Sequence, residues 1–267
     1  MEGGTTNHIN VAKVLASKGI RPRRWMVRLL NRLLHIDEIN ECLDLYGDKE
    51  GVEFAQAIMN HLDITFDLRH LERIPREGSP IIIANHPLGG PDAMALIAAV
   101  GSVRDDILFP VNDFLMFIKQ LKPIFVPIDK VHGNRNTADG INAAFAGENT
   151  MLYFPAGLCS RRVKGQIVDL QWKPTVIRKA IQHHRDLIPV HIEARNRRRF
   201  YTIANWRKRL GIKFNFEMAL LPGEMFAQRG KTFRLTVGEP IPWQTLNDGD
   251  MSQAWADKLH DQIYTIR

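Results

Sequence analysis

The spacing of apolar residues changes character near residue 63, and the change divides the chain. From His8 to Leu62 apolar positions recur at helical spacing, which predicts helices over 9–17, 23–35, 36–46 and 50–61, broken at Lys18-Gly19, His35-Ile36 and Gly47-Asp48. Beyond 63, short apolar runs of strand length alternate with amphipathic stretches. The runs predict strands over 64–69, 80–84, 106–110, 124–128, 150–154, 187–192, 214–218 and 232–237. The stretches between predict helices over 92–100, 113–120, 137–146, 174–184, 197–209 and 252–265. Such alternation implies an α/β fold, a mostly parallel sheet flanked by helices, over 64–267, with a helical cap over 1–63 that is a candidate for membrane association.

One run leads directly into candidate chemistry. Ile81-Ile82-Ile83-Ala84 is apolar at every position, as a strand covered on both faces requires. It runs into Asn85-His86-Pro87-Leu88-Gly89-Gly90-Pro91-Asp92 and then into the apolar helix that begins near Ala93. In parallel sheets ligands bind beyond the carboxyl ends of strands, which is where this turn lies. Pro87 stiffens the exit, and Gly89 and Gly90 let the chain fold back so that His86 and Asp92 can meet. A carboxylate accepting from one imidazole nitrogen fixes the tautomer and stabilises the imidazolium, which makes the ring a general base. The same two residues also suit a hydrogen-bonded strand-end histidine and a helix-capping aspartate, and the pair alone does not choose.

Composition narrows the setting. At 267 residues and 45% hydrophobic content, the chain can bury the core of one large domain or of a domain with an appendage. Cys42 and Cys159 lie far apart and suggest neither a disulfide framework nor a metal set, and His132, His183, His184 and His191 show no zinc spacing. The start at Met1 lacks a signal-like pattern and no stretch has bilayer length, so a cytoplasmic protein is expected. The net charge of +7 is concentrated in three groups: Arg21, Arg23, Arg24, Arg28 and Arg32; Arg161, Arg162 and Lys164; and the arginines and lysine between Arg195 and Arg209. Basic surfaces of this kind meet nucleic acid or anionic lipid. Trp25, Met26, Leu29, Leu30, Leu33 and Leu34 form an apolar stripe beside Arg24, Arg28 and Arg32, fitting either a core-packed helix or one at a lipid interface. Phe200, Tyr201, Ile203 and Trp206 among the third group suit stacking on bases or a lipid interface. No Gly-x-Ser-x-Gly elbow is present, so an α/β-hydrolase esterase is not supported.

Three further blocks follow in order: Pro127-Ile128-Asp129-Lys130, Phe154-Pro155-Ala156-Gly157-Leu158-Cys159-Ser160-Arg161-Arg162, and Ile188-Pro189-Val190. Together with Asn85-His86 and Asp92, they make the chain from about 80 to 240 resemble the glycerophosphate and lysophospholipid acyltransferase superfamily. The resemblance implies a glycerol-3-phosphate acyltransferase-like fold with His86 as base and Asp92 as its partner. It implies substrate-binding roles for Asn85, Gly89, Gly90, Lys130, Gly157, Ser160 and Arg161. Backbone N–H groups around Gly89 and Gly90 are candidate oxyanion donors. Acyl-ACP or acyl-CoA would be the co-substrate, with no metal or redox cofactor. The expected partners are therefore acyl carrier protein or a CoA thioester and the inner face of the cytoplasmic membrane, with no nucleic acid.

Two departures from the superfamily stand out. Five residues separate His86 from Asp92 where the superfamily has four, and Ala156 stands where it usually has Glu. The Asn-His-Pro-Leu-Gly-Gly and Phe-Pro-Ala-Gly blocks look like a bacterial branch named glycerol acyltransferases and linked to O-acylation of glycine and ornithine lipids. There the acceptor is a hydroxyl on the fatty chain of an N-acylated amino acid, whose carboxylate would suit Arg161 or Lys130. The alternatives are a 1-acylglycerol-3-phosphate acyltransferase proper and, from another class, a basic nucleic-acid-binding module.

Overall fold

The computed structural model describes residues 8–17, 19–128, 135–246 and 251–266. Four helices come first: α1 (Val11–Ser17), α2 (Arg24–Leu33), α3 (Ile36–Tyr46) and α4 (Gly51–His61). They give way to strand β1 (Thr65–Arg69) where the hydrophobic period changes. The chain continues through β2 (Ile81–Ala84), α5 (Pro91–Val100), β3 (Ile107–Asn112), β4 (Phe125–Ile128), α6 (Arg135–Ala146) and β5 (Thr150–Tyr153). A hairpin of β6 (Arg161–Val163) and β7 (Gln166–Val168) precedes α7 (Thr175–Gln182), β8 (Leu187–Glu193), α8 (Arg198–Arg209), α9 (Leu221–Phe226), β9 (Thr232–Val237) and α10 (Met251–Ile263).

The described residues form a seven-stranded sheet in the order β1-β9-β8-β2-β5-β3-β4. Its pairings are parallel except that of β8 with β9. β2 is the central strand, and its side chains split by the two-residue period. Ile82 and Ala84 join the core beneath α4 and α5, while Ile81 and Ile83 join the one beneath α6, α7 and α10. Each fully buried isoleucine of this strand contributes roughly 1.5–3 kcal/mol of burial. A mostly parallel sheet covered on both faces by helices is the architecture expected from the sequence.

Two local expectations are corrected, and one hairpin is unexpected. Residues 214–218 form no strand; Phe216–Leu220 is a 3-10 turn. The alternation of Phe214, Phe216 and Met218 imitates a strand, but Glu217 is drawn into a buried ion pair while Phe214 and Phe216 are exposed. The helix expected over 113–120 is two 3-10 turns, Asp113–Phe117 and Lys119–Leu121, interrupted by Ile118 in an extended conformation. The β6–β7 hairpin turns at Lys164-Gly165, both with positive φ, and has no counterpart among the expected elements.

Candidate active site

β2, β5 and β8 run parallel, so their carboxyl ends lie together at one end of the sheet. His86 leaves β2 there. Its Nδ1 lies 2.9 Å from Oδ2 of Asp92, across the five intervening residues. The turn closes because Gly89 has a φ of +86°, and a Cβ there would stand 2.8 Å from Leu221 Cδ1 and 3.1 Å from Cys159 Cβ. Pro91 takes the first position of α5, where its missing N–H costs nothing, and Asp92 follows in the helix's first turn.

Asp92 is completely buried, and the backbone replaces the water it has lost. Its Oδ2 accepts from the N–H of Leu88 at 2.8 Å and of Gly89 at 3.3 Å, and its Oδ1 from Gly90 at 2.9 Å and Ala93 at 3.0 Å. Burial opposes the charge, but His86 and these donors outweigh it and hold the carboxyl below its ordinary range. Burial likewise works against a charged His86. The negative charge of Asp92 and its hydrogen bond, with Asp169 adding to them and Arg161 opposing, leave the imidazole above its ordinary value. With Asp92 ionised, the neutral ring carries its proton on Nδ1 and its lone pair on Nε2. The His86 side chain keeps 15% of its surface exposed, and its ring stacks on Phe154 with centroids 4.1 Å apart.

Of the remaining expected site residues, Asn85, Gly89, Gly90, Ser160 and Arg161 are drawn into the walls around this pair. Asn85 donates to Ile192 O at 3.0 Å and accepts from Ile192 N at 2.7 Å, tying the end of β2 to β8. The Gly89 and Gly90 N–H groups, expected as oxyanion donors, are given to Asp92. Ser160 is buried; its N donates to His86 O at 2.7 Å and its Oγ to Asp169 Oδ1 at 2.6 Å. Arg161, expected at the acceptor head group, turns inward to Glu217 at 3.0 Å and to Cys159 O at 2.6 Å, with its guanidinium over Phe200. Gly157 is exposed in the turn after β5, with φ +63°. Lys130 lies outside the described residues. Ala156 is buried in the apolar core with Trp172 and Met151. The Cys159 thiol, pushed up to about 11 by burial, stays protonated and is no nucleophile.

Asp169 is the residue that sequence reasoning missed. Both its oxygens accept from the His86 N–H, and Oδ2 also accepts from Trp172 Nε1 at 2.9 Å. Its own backbone is fixed by α10 and the residues that follow it: its N donates to Tyr264 Oη at 2.7 Å, and its O accepts from His260 Nε2 at 3.1 Å. Asn196, also missed, donates to the Pro87 and Leu88 carbonyls and steadies the turn from the β8 side. Among the described residues no three His, Cys, Asp or Glu side chains are grouped so as to hold a metal ion.

A model of the acyltransferase family matches residues 12–266. The chain belongs to that family. Relatives of this acyltransferase include the lyso-glycine lipid O-acyltransferase of Bacteroides thetaiotaomicron, 42% identical over 264 residues and covering 97% of each chain. The protein of the same name from Phocaeicola vulgatus is 40% identical over 264 residues, covering 97% of this chain and 95% of the relative. A crystal structure of the 1-acyl-sn-glycerophosphate acyltransferase PlsC from Thermotoga maritima is similar with a TM-score of 0.48 at 15% identity, over 95% of this chain and 87% of that one, too remote to inform the site. The acyltransferase also loses one feature of the nucleic-acid alternative: Phe200 and Tyr201 are buried and cannot stack on bases.

Proposed function

We propose that this acyltransferase esterifies the hydroxyl of a lyso-glycine lipid, a mono-acylated amino-acid lipid, using a fatty acyl thioester of acyl carrier protein or CoA. The observation that carries the chemistry is the 2.9 Å contact between His86 and a buried, fully hydrogen-bonded Asp92 at the end of the central strand. The acceptor is taken from the two relatives, which share about two fifths of their residues with this chain over nearly its whole length.

In the reaction, His86 Nε2 removes the acceptor's hydroxyl proton as the oxygen attacks the thioester carbonyl. Asp92 stabilises the imidazolium that forms, as in the base–orienter arrangement of serine hydrolases. Collapse of the tetrahedral intermediate breaks the C–S bond, and the imidazolium returns its proton to the departing thiolate. An ester and a free thiol result, with no change of oxidation state and no cofactor beyond the thioester co-substrate. The acceptor's fatty chain keeps it in a bilayer, so the enzyme works as a peripheral protein on the inner face of the cytoplasmic membrane. Trp25, Leu29 and Leu33 of α2, exposed beside Arg24, Arg28 and Arg32, support contact with such a surface.

The test is transfer by purified enzyme to lyso-glycine lipid and, separately, to lysophosphatidate, with acyl carrier protein and CoA thioesters as donors. Diacylated glycine lipid as the favoured product supports the reading. Preferential formation of phosphatidate would replace it with the 1-acylglycerol-3-phosphate reaction.

A further inference from the structure

Residues 195–216 carry eight cations and no acid, and they end in a run of large apolar residues: Trp206, Leu210, Ile212, Phe214 and Phe216. A soluble surface normally scatters such side chains singly. Here five fall between residues 206 and 216 and are turned outward, with Trp206 64%, Leu210 67% and Phe214 77% exposed. Lys208, Arg209 and Lys213 stand exposed among them, and among the described residues none of the three has an acidic partner. Other cations of the stretch are already used: Arg197 and Arg199 pair with Glu224, each at 3.0 Å.

We propose that Trp206 to Phe216 form a docking tongue that inserts into an anionic bilayer and holds the His86 end of the sheet against it. The proposal rests on the membrane-lipid acceptor assigned above. Cations interleaved with exposed aromatic and aliphatic side chains match the two layers of a lipid surface, since anionic headgroups take the lysines and arginine while the interface takes the rings. An acidic carrier protein would satisfy the cations and leave Trp206, Leu210 and Phe214 in water.

The tongue is also fixed to the catalytic wall by charge. Fully buried Glu217, the first acid after the run, meets Arg207 Nε at 2.8 Å from α8 and Arg161 Nη2 at 3.0 Å from β6. Arg161 directly follows Ser160, whose N–H holds the His86 carbonyl. Leu221, at the start of α9, packs where the Gly89 hydrogen points. One buried ion cluster therefore links residues 206–216 to the segment that holds the His86 carbonyl.

Sedimentation with vesicles tests this in the absence of any lyso lipid or thioester, so the outcome does not depend on which acceptor is acylated. The whole protein is compared with Trp206→Ser/Phe214→Ser and with Lys208→Glu/Arg209→Glu/Lys213→Glu, and thermal unfolding of each variant checks that these exposed changes leave the fold intact. Vesicles of phosphatidylcholine with phosphatidylglycerol are set against phosphatidylcholine alone. Wild type should prefer the anionic vesicles, and each variant should lose about tenfold or more of that binding. Added salt should weaken wild type as charge reversal does. Wild-type binding by both variants, or none by wild type itself, would overturn the proposal. So would variants that hold the vesicles and lose only binding to acyl carrier protein, which would reassign the surface to the donor.

Discussion

Asp169 holds His86 by its backbone: the His86 amide nitrogen lies 3.1 and 3.2 Å from the two carboxylate oxygens of Asp169. The ring of the same histidine points to Asp92. The base is thus fixed at the main chain by one buried carboxylate and at the imidazole by another, and neither contact uses Nε2. Burial raises the affinity of Asp169 for a proton, and its donors Ser160, Trp172 and His86 oppose this.

Asp169→Asn should move the pH dependence of transfer. The charged groups acting on His86 are Asp92 and Asp169, which favour the imidazolium, and Arg161, which opposes it. Removing one negative charge lowers the imidazole's pKa, so the acid limb of kcat/KM should shift to lower pH while maximal activity falls. A pH–rate profile of the variant against wild type checks this; an unshifted limb would leave Asp169 with a purely structural part.

In the wild type the sign is set by the raised imidazole. A general base works when neutral, so kcat/KM should rise with pH through a midpoint above the ordinary histidine value of about 6.5. Initial rates at fixed ionic strength between weakly acidic and weakly basic pH measure the midpoint.

Asp92→Asn should cost both rate and stability. The amide cannot accept from all four backbone N–H groups that Asp92 satisfies. Leaving a buried donor unpaired costs roughly 1–3 kcal/mol. Thermal unfolding should show this loss, and transfer should fall through loss of tautomer control.

Glu217→Ala should destabilise more strongly, by roughly 3–5 kcal/mol, because it leaves buried Arg161 without its countercharge. Denaturant unfolding measures it. A near-neutral result would mean that Arg161 finds another anion and is free for substrate.

Much of this was legible because the informative residues stand next to their elements in sequence. The run Ile81–Ala84 reads as a doubly covered strand, and the glycines that follow announce a tight return, so the sequence itself pairs His86 with Asp92. The turn between them closes through the left-handed backbone of Gly89. What could not be read depends on distant partners. Asp169 lies 83 positions after His86 and gives no local signal; only the folded β6–β7 hairpin and Tyr264 bring it under the turn. Arg161 resembles an anion-binding residue in sequence, and its inward turn is decided by Glu217, 56 positions away. The alternation at 214–218 suggested a strand for the same reason: Glu217 occupies a polar place in the pattern but is buried by its ion pairs.

The most direct measurement is acyl transfer by His86→Ala under conditions where the wild type forms the diacyl product, with circular dichroism showing the fold retained. General base catalysis of this kind is worth about 10²–10⁴ in rate, and the variant should lose activity on that scale. Full transfer by folded His86→Ala would contradict the assignment of the base.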